Sequence, residues 1–211
     1  MMANTARENI LSKIKQALGK PVPVPFPAAV AGESVFLPQK QELEIEFAEN
    51  FSKLEGRFSF CADERELVSQ LHTLQDGRKW TKIYSREPQL KEMLFRAGWN
   101  MPYTDDLPGC DVSITGCEAL IARTGSIVMS SAQASGRTVS VYAPVHICIA
   151  YTKQLVYDIS DGLQQLREGY GQQFPSLVTL ATGPSRTADI EKTLVVGVHG
   201  PKEVFCFLVD S

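Results

Sequence analysis

Apolar side chains recur at helical spacing through the early part of the chain and in short, nearly continuous runs through the later part. Ile10, Leu11, Ile14, Ala17 and Leu18 form one stripe, which predicts a first helix. Thr5 with Glu8 completes a capping box at its start, and Gly19 followed by Pro21 stops it. Residues 21–27, PVPVPFP, alternate proline with apolar residues and predict an extended, semi-rigid strap. A second helix is expected over 39–55, with Leu43, Phe47, Phe51 and Leu54 on one face and Gly56 after it. From residue 57 the pattern alternates. RFSFC and KWTKIYS read as strands, and DERELVSQLHTL and EPQLKEMLFRAG as helices, the latter with Pro88 in its first turn and Gly98 at its end. That rhythm implies parallel strands joined by helical crossovers.

After residue 110 the helices drop out. DVSITG, ALIA, SIVMS, TVSVYA and HICIAY are short apolar runs separated by Gly, Ser, Thr and Pro, a strand-rich block with antiparallel pairs. A helix over about 158–168, the strand LVTLATG, a short helix over about 187–193 and the strand VFCFLV complete the chain. The expected class is α/β, with a mixed central sheet flanked by helices. Residues 1–56 are expected to form an N-terminal helical extension and strap, and 57–211 the α/β domain.

Composition narrows the function. The 211 residues are 44% hydrophobic, enough for one ordinary core, and the net charge of −3 argues against nucleic acid. No apolar run reaches the roughly 18 residues of a membrane span. Five widely spaced cysteines, an odd number without a CxxC pair, read as reduced thiols rather than staples or cluster ligands. With no signal-peptide core at the N-terminus, the expected compartment is the cytoplasm.

Candidate chemistry concentrates in 182–201, TGPSRTADIEKTLVVGVHGP. A strand feeding a Gly-Pro turn and then a helix would leave free backbone N–H groups for an anion. Ser185 or Thr187 would cap that helix, Arg186 would fork onto a carboxylate or phosphate, and Asp189 would lie in its first turn. His199, between Gly197 and Gly200, suits proton transfer near neutral pH. Upstream, TGCEALIARTGS carries Thr115, Gly116, Glu118, Arg123, Thr124 and Gly125, and the loop SAQASGRT carries Arg137. His146, at the head of an apolar strand, reads as a core histidine, and His72 as a solvated helix residue. The dinucleotide, Walker and nucleophile-elbow patterns are absent.

GPSRTADIE followed by GVHGP, with ITGCEALIARTGS and APVHI upstream, resembles the LUD-domain family in its lactate-utilisation branch. The resemblance implies a fold like that of the NagB/RpiA/CoA-transferase group. It also implies a part in oxidising L-lactate to pyruvate, beside two cysteine-rich proteins that carry iron–sulfur clusters; this chain is similar to the component without clusters. Taking the residues and the resemblance together, the candidate catalytic residues are Asp189, His199 and Glu118, and the candidate contacts to a small carboxylate are Thr115, Gly116, Thr124, Gly125, Arg137, Gly183, Ser185, Arg186, Thr187 and Gly200. Arg123 stands where many members are expected to carry glutamate, which makes Glu118 the nearest replacement acid. Two other readings stay open: a stand-alone enzyme, monomeric or homo-oligomeric, on a small carboxylate, phosphosugar or CoA thioester, and a regulatory or scaffold module with a vestigial pocket.

Overall fold

The computed structural model describes residues 6–19, 38–190 and 193–210. It divides into two units, Met1–Pro38 and Gln39–Ser211. In the first, helix α1 covers Ala6–Leu18 as its apolar stripe predicts. The expected Thr5 cap and the proline strap lie outside the described residues.

The second unit is layered. Its main sheet has five parallel strands in the order β1-β11-β6-β3-β2. These are Arg57–Cys61 (β1), Ile83–Tyr84 (β2), Val112–Thr115 (β3), Val145–Tyr151 (β6) and Glu203–Val209 (β11). β6 is buried nearly throughout, as a central strand covered on both faces should be. Successive side chains of a strand point to opposite faces, so Val145, Ile147 and Ile149 pack on one side and Cys148 and Ala150 on the other. The first side meets helices α3 (Glu64–Arg78) and α4 (Pro88–Arg96) through Leu67, Leu71, Leu90 and Leu94. Asp63 caps α3 by accepting from the amides of Arg65 and Glu66.

The other side meets a second sheet, ordered β7-β4-β5-β8. Its strands are Ala119–Ile121 (β4), Ser126–Ser130 (β5), Leu155–Val156 (β7) and Val178–Ala181 (β8). β4–β5 and β5–β8 pair antiparallel, and β4–β7 parallel. Helix α6 (Ile159–Tyr170) covers the far face through Leu166. The expected mixture of strand directions is therefore real, but it is divided between a parallel sheet and a smaller mixed one.

Three expectations change. Helix α2 (Leu43–Lys53) is no appendage: Phe47 and Phe51 are fully buried, packed against Leu120, Ile127, Cys206 and Leu208. The compact unit thus begins at residue 39 rather than 57. The strand expected over TVSVYA is instead a single helical turn, α5 (Val139–Tyr142), which sends Val139 and Ala143, four residues apart, into one apolar cluster with Tyr84 and Cys110. Finally, the helix expected over about 187–193 is a pair of antiparallel strands, β9 (Arg186–Ile190) and β10 (Thr193–Val196). Thr187, Ile190, Thr193, Val195 and Val196 are β-branched and favour extended pairing over a helix.

Candidate functional sites at the two ends of the parallel sheet

Because 187–193 is not helical, the anion site expected from free N–H groups at a helix start is not formed there. The residues expected around it have other partners. Arg186 Nη2 donates to the Leu54 carbonyl at 2.6 Å and pairs with Glu55 at 3.3 Å, both just beyond α2. Gly183 adopts a φ of +99°, and a Cβ there would lie 2.4 Å from the same Leu54 oxygen. Gly125, at φ +61°, would place a Cβ 2.4 Å from the Phe51 amide nitrogen. Asn50 Nδ2 donates to the carbonyls of Ala122 and Arg123 at 3.0 and 3.2 Å. Thus three of the expected substrate contacts, Gly125, Gly183 and Arg186, hold the C-terminal end of α2. Thr124 hydrogen-bonds Ser126 at 2.7 Å.

The two halves of the GPS…GVHGP motif do meet. The Ser185 amide donates to the Pro201 carbonyl, and the Gly197 amide to the Ser185 carbonyl, both at 2.9 Å. A Cβ on Gly200 would lie 2.8 Å from Ser185 Cβ, so glycine lets the two turns touch. His199 is exposed in a cleft of about 410 Å³ with Tyr142, Pro144, Val198 and Lys202. Pro144 precedes β6 and Lys202 precedes β11, so this cleft lies at the amino ends of the parallel strands. Thr187 pairs with Val195 in the β9–β10 ladder. Asp189 lies on β9, and its side chain is outside the described residues.

Glu118 and Arg137 belong to the second sheet and its loops. One Glu118 oxygen accepts from Ser130 Oγ and, at 2.8 Å, from the Tyr170 hydroxyl. Burial and the neighbouring Glu118 raise the Tyr170 phenol above its ordinary value. Arg137 Nη2 donates to Ser176 Oγ at 2.6 Å. Arg123, the departure from the expected glutamate, makes a 2.6 Å ion pair with Asp158, the N-cap of α6. Burial opposes the Asp158 charge, but the Ser160 amide and the Arg123 guanidinium outweigh it and hold the carboxyl below its usual range. A glutamate at position 123 would put two carboxylates together.

At the carboxyl ends of β2, β3 and β6 lies a different cleft, of about 380 Å³. Gly116, which follows β3, donates its amide to Glu87 Oε2 at 3.0 Å, while Glu87 Oε1 is buried without a hydrogen-bond partner. Tyr151, Lys153 and Gln154 line the cleft from the end of β6, and Leu90, Met93 and Ile149 give it an apolar wall. Gln154 is fixed by its bonds to the Cys117 carbonyl at 2.6 Å and the Tyr151 amide at 2.8 Å. The Lys153 ammonium lies 5.1 Å from the Tyr151 ring centre. Next door, Thr115 is buried and its hydroxyl contacts His146 Nε2 at 2.8 Å. Burial pushes the His146 imidazole down to about 4, so it is neutral near pH 7: a core histidine, as its setting in the sequence implied. His72 is not simply solvated, since its ring packs 4.8 Å from Trp99. Sequence reasoning did not single out this cleft. The available signal was position, since in α/β proteins the turns after parallel strands carry ligands.

All five thiols are free and buried. Burial pushes Cys61 and Cys110 up to about 11; the Cys148 thiol and burial raise Cys117, and Cys148 is raised because a lowering bond with Cys117 is outweighed by the Cys206 thiol and burial. Among the described residues, no three His, Cys, Asp or Glu side chains are grouped to hold a metal, and no helix is long and apolar enough to cross a membrane.

A parallel sheet backed by a small mixed sheet, with glycine-rich turns gathered at its ends, defines a layered α/β protein. The model of the LUD domain matches residues 103–209, half of the chain, and the chain belongs to the LUD-domain family. It is similar to Lactate utilization protein C of Shouchella clausii, at 36% identity over 102 residues, 48% of this chain and 44% of that protein. A protein of the same name from Bacillus subtilis is 37% identical over 103 residues, 48% of this chain and 43% of that one. The chain spans about half the length of the curated relatives it matches. The crystal structure of a DUF162 family protein from Deinococcus radiodurans superimposes with a TM-score of 0.60 at 18% identity, over 79% of this chain and 96% of that one. It shares the fold.

Proposed function

We propose that this chain works in lactate utilisation, as the cluster-free component of an assembly that oxidises L-lactate to pyruvate with two cysteine-rich iron–sulfur proteins. The observation that carries the reading is its likeness, at 36% and 37% identity over 102 and 103 residues, to proteins named Lactate utilization protein C. Its five cysteines are widely spaced, with no CxxC pair of the kind that cluster-binding segments carry. Oxidising lactate to pyruvate releases two electrons and two protons; the electrons would pass to clusters on the partner proteins. On this reading Glu118, gripped by Ser130 and Tyr170, and His199, exposed beside Lys202, are the retained proton-transfer groups. Asp189 is retained on its sequence context. Deleting the gene should abolish growth on L-lactate and spare growth on pyruvate. Undiminished growth on L-lactate would overturn the proposal.

A further inference from the structure

We infer that two copies of this chain pair through the free edge of β1, running antiparallel about a two-fold axis at Ser59. The inference goes beyond the lactate-utilisation reading and does not depend on it.

β1 ends the parallel sheet, with β11 on one side and, among the described residues, no strand on the other. The amide and carbonyl of a strand residue point to the same side, and successive residues alternate. The Asp210 amide donates to the Cys61 carbonyl, so Cys61, Ser59 and Arg57 face β11. Phe58 and Phe60 therefore turn their amides and carbonyls outward. This edge is closed at both ends. The Gly56 amide donates to the Phe51 carbonyl at 3.0 Å, and the Ala62 amide to Glu66 Oε2 at 2.7 Å. Between those ends, the one bond made to the outward groups among the described residues is long, from Gln70 Nε2 to the Phe60 carbonyl at 3.4 Å. Monomeric proteins blunt such an edge with proline, lysine or a bulge. Phe58, Ser59 and Phe60 supply none of these, and the register with β11 runs unbroken from Arg57 to Cys61.

The edge is also self-complementary, because RFSFC reads Phe-Ser-Phe about Ser59. A two-fold axis there, perpendicular to the sheet, sets Phe58 opposite the partner's Phe60 and Phe60 opposite the partner's Phe58. The outward backbone groups then meet as hydrogen-bonded pairs, and the rings as cross-strand aromatic pairs on one face. Phe58 already packs edge-on against Phe47, whereas Phe60 is 45% exposed, so pairing covers the ring that a single chain leaves to water. The antiparallel direction matches charge as well. Arg57 marks the amino end of β1, and Glu66, exposed on α3, is held at its carboxyl end by the Ala62 amide. Arg57 and Cys61 share the α3 face of the sheet, so each copy's guanidinium approaches the other's Glu66.

Sedimentation velocity of the full chain at up to about 100 μM tests this, and the parent should run as a dimer at the top of that range. Phe60→Lys, a change at an exposed position, should weaken dimerisation roughly tenfold or more by setting a charge against the partner's Phe58. Ser59 is the sharper probe. Opposite residues at a non-hydrogen-bonded antiparallel position have Cα atoms about 4.5 Å apart, within reach of a disulfide. Ser59→Cys should therefore give a covalent dimer when treated with diamide, which takes up the two electrons and two protons as the S–S bond forms. The native thiols are all buried, and adding Phe60→Lys should abolish the crosslink. Three results would each overturn the inference: a parent that stays monomeric throughout the range, a dimer as tight in Phe60→Lys as in the parent, or a dimer that Ser59→Cys does not crosslink.

Discussion

Gly125 and Gly183 carry side-chain-free backbone where α2 presses closest, at positive φ and with under 2.5 Å to spare for a Cβ. Gly125→Ala and Gly183→Ala should each destabilise the fold by about 2 kcal/mol or more, from strain and overpacking together. Gly169, inside α6 with open space around it, is the opposite case: Gly169→Ala should stabilise by up to about 1 kcal/mol. Urea unfolding of the three variants reads both signs. His146 gives the pH dependence. Burial lowers its imidazole from 6.5 to about 4, so the unfolded chain binds the extra proton first on acidification. Stability from this group is whole above about pH 6.5 and is lost as pH falls towards 4, on the order of 3 kcal/mol over the window. Asp111, Asp158 and Glu203, held below their ordinary values, add losses only lower down. In His146→Gln the loss across the upper part of the window should vanish; an unchanged slope between about pH 6 and 5 would refute the assignment. The sequence marked these glycines and this histidine as special. It could not say what approaches them, because α2 lies more than 70 residues away from Gly125 along the chain and further still from Gly183.

At the scale of elements, most helices and strands were legible because their apolar periodicity and their Gly, Pro and Asp punctuation agree. The failures have a common cause. TVSVYA and the segment from Thr187 to Val196 are short, and there the tertiary partner decides: Val139 and Ala143 reach one cluster only from a helical turn, and β9 finds β10. The same confusion made α2 look detachable, since amphipathicity shows that a face is buried but not against what. Removing residues 1–38 should leave the cooperative unfolding of the remaining unit intact. Removing 1–56 should abolish it, because Phe47 and Phe51 go with α2; Phe51→Ala alone should cost about 3–5 kcal/mol. Thermal melts of the two truncations decide the boundary.

For the whole molecule, the α/β class and the family were readable from the chain, and the glycine-rich motif pointed to one end of the sheet only. The motif glycines drew attention to the His199 cleft and the α2 contact, whereas the unpartnered Glu87 oxygen emerges only when β2 and β3 are laid side by side, 29 residues apart in sequence. The central claim is that this chain works as the cluster-free member of a lactate-oxidising assembly. Affinity purification of the tagged full-length chain, at native expression from its own cells grown on L-lactate, tests it most directly. Two cysteine-rich iron–sulfur proteins should arrive in fixed ratio, and the purified assembly should oxidise L-lactate. A chain that emerges alone or only with copies of itself, and that oxidises L-lactate without help, would contradict it.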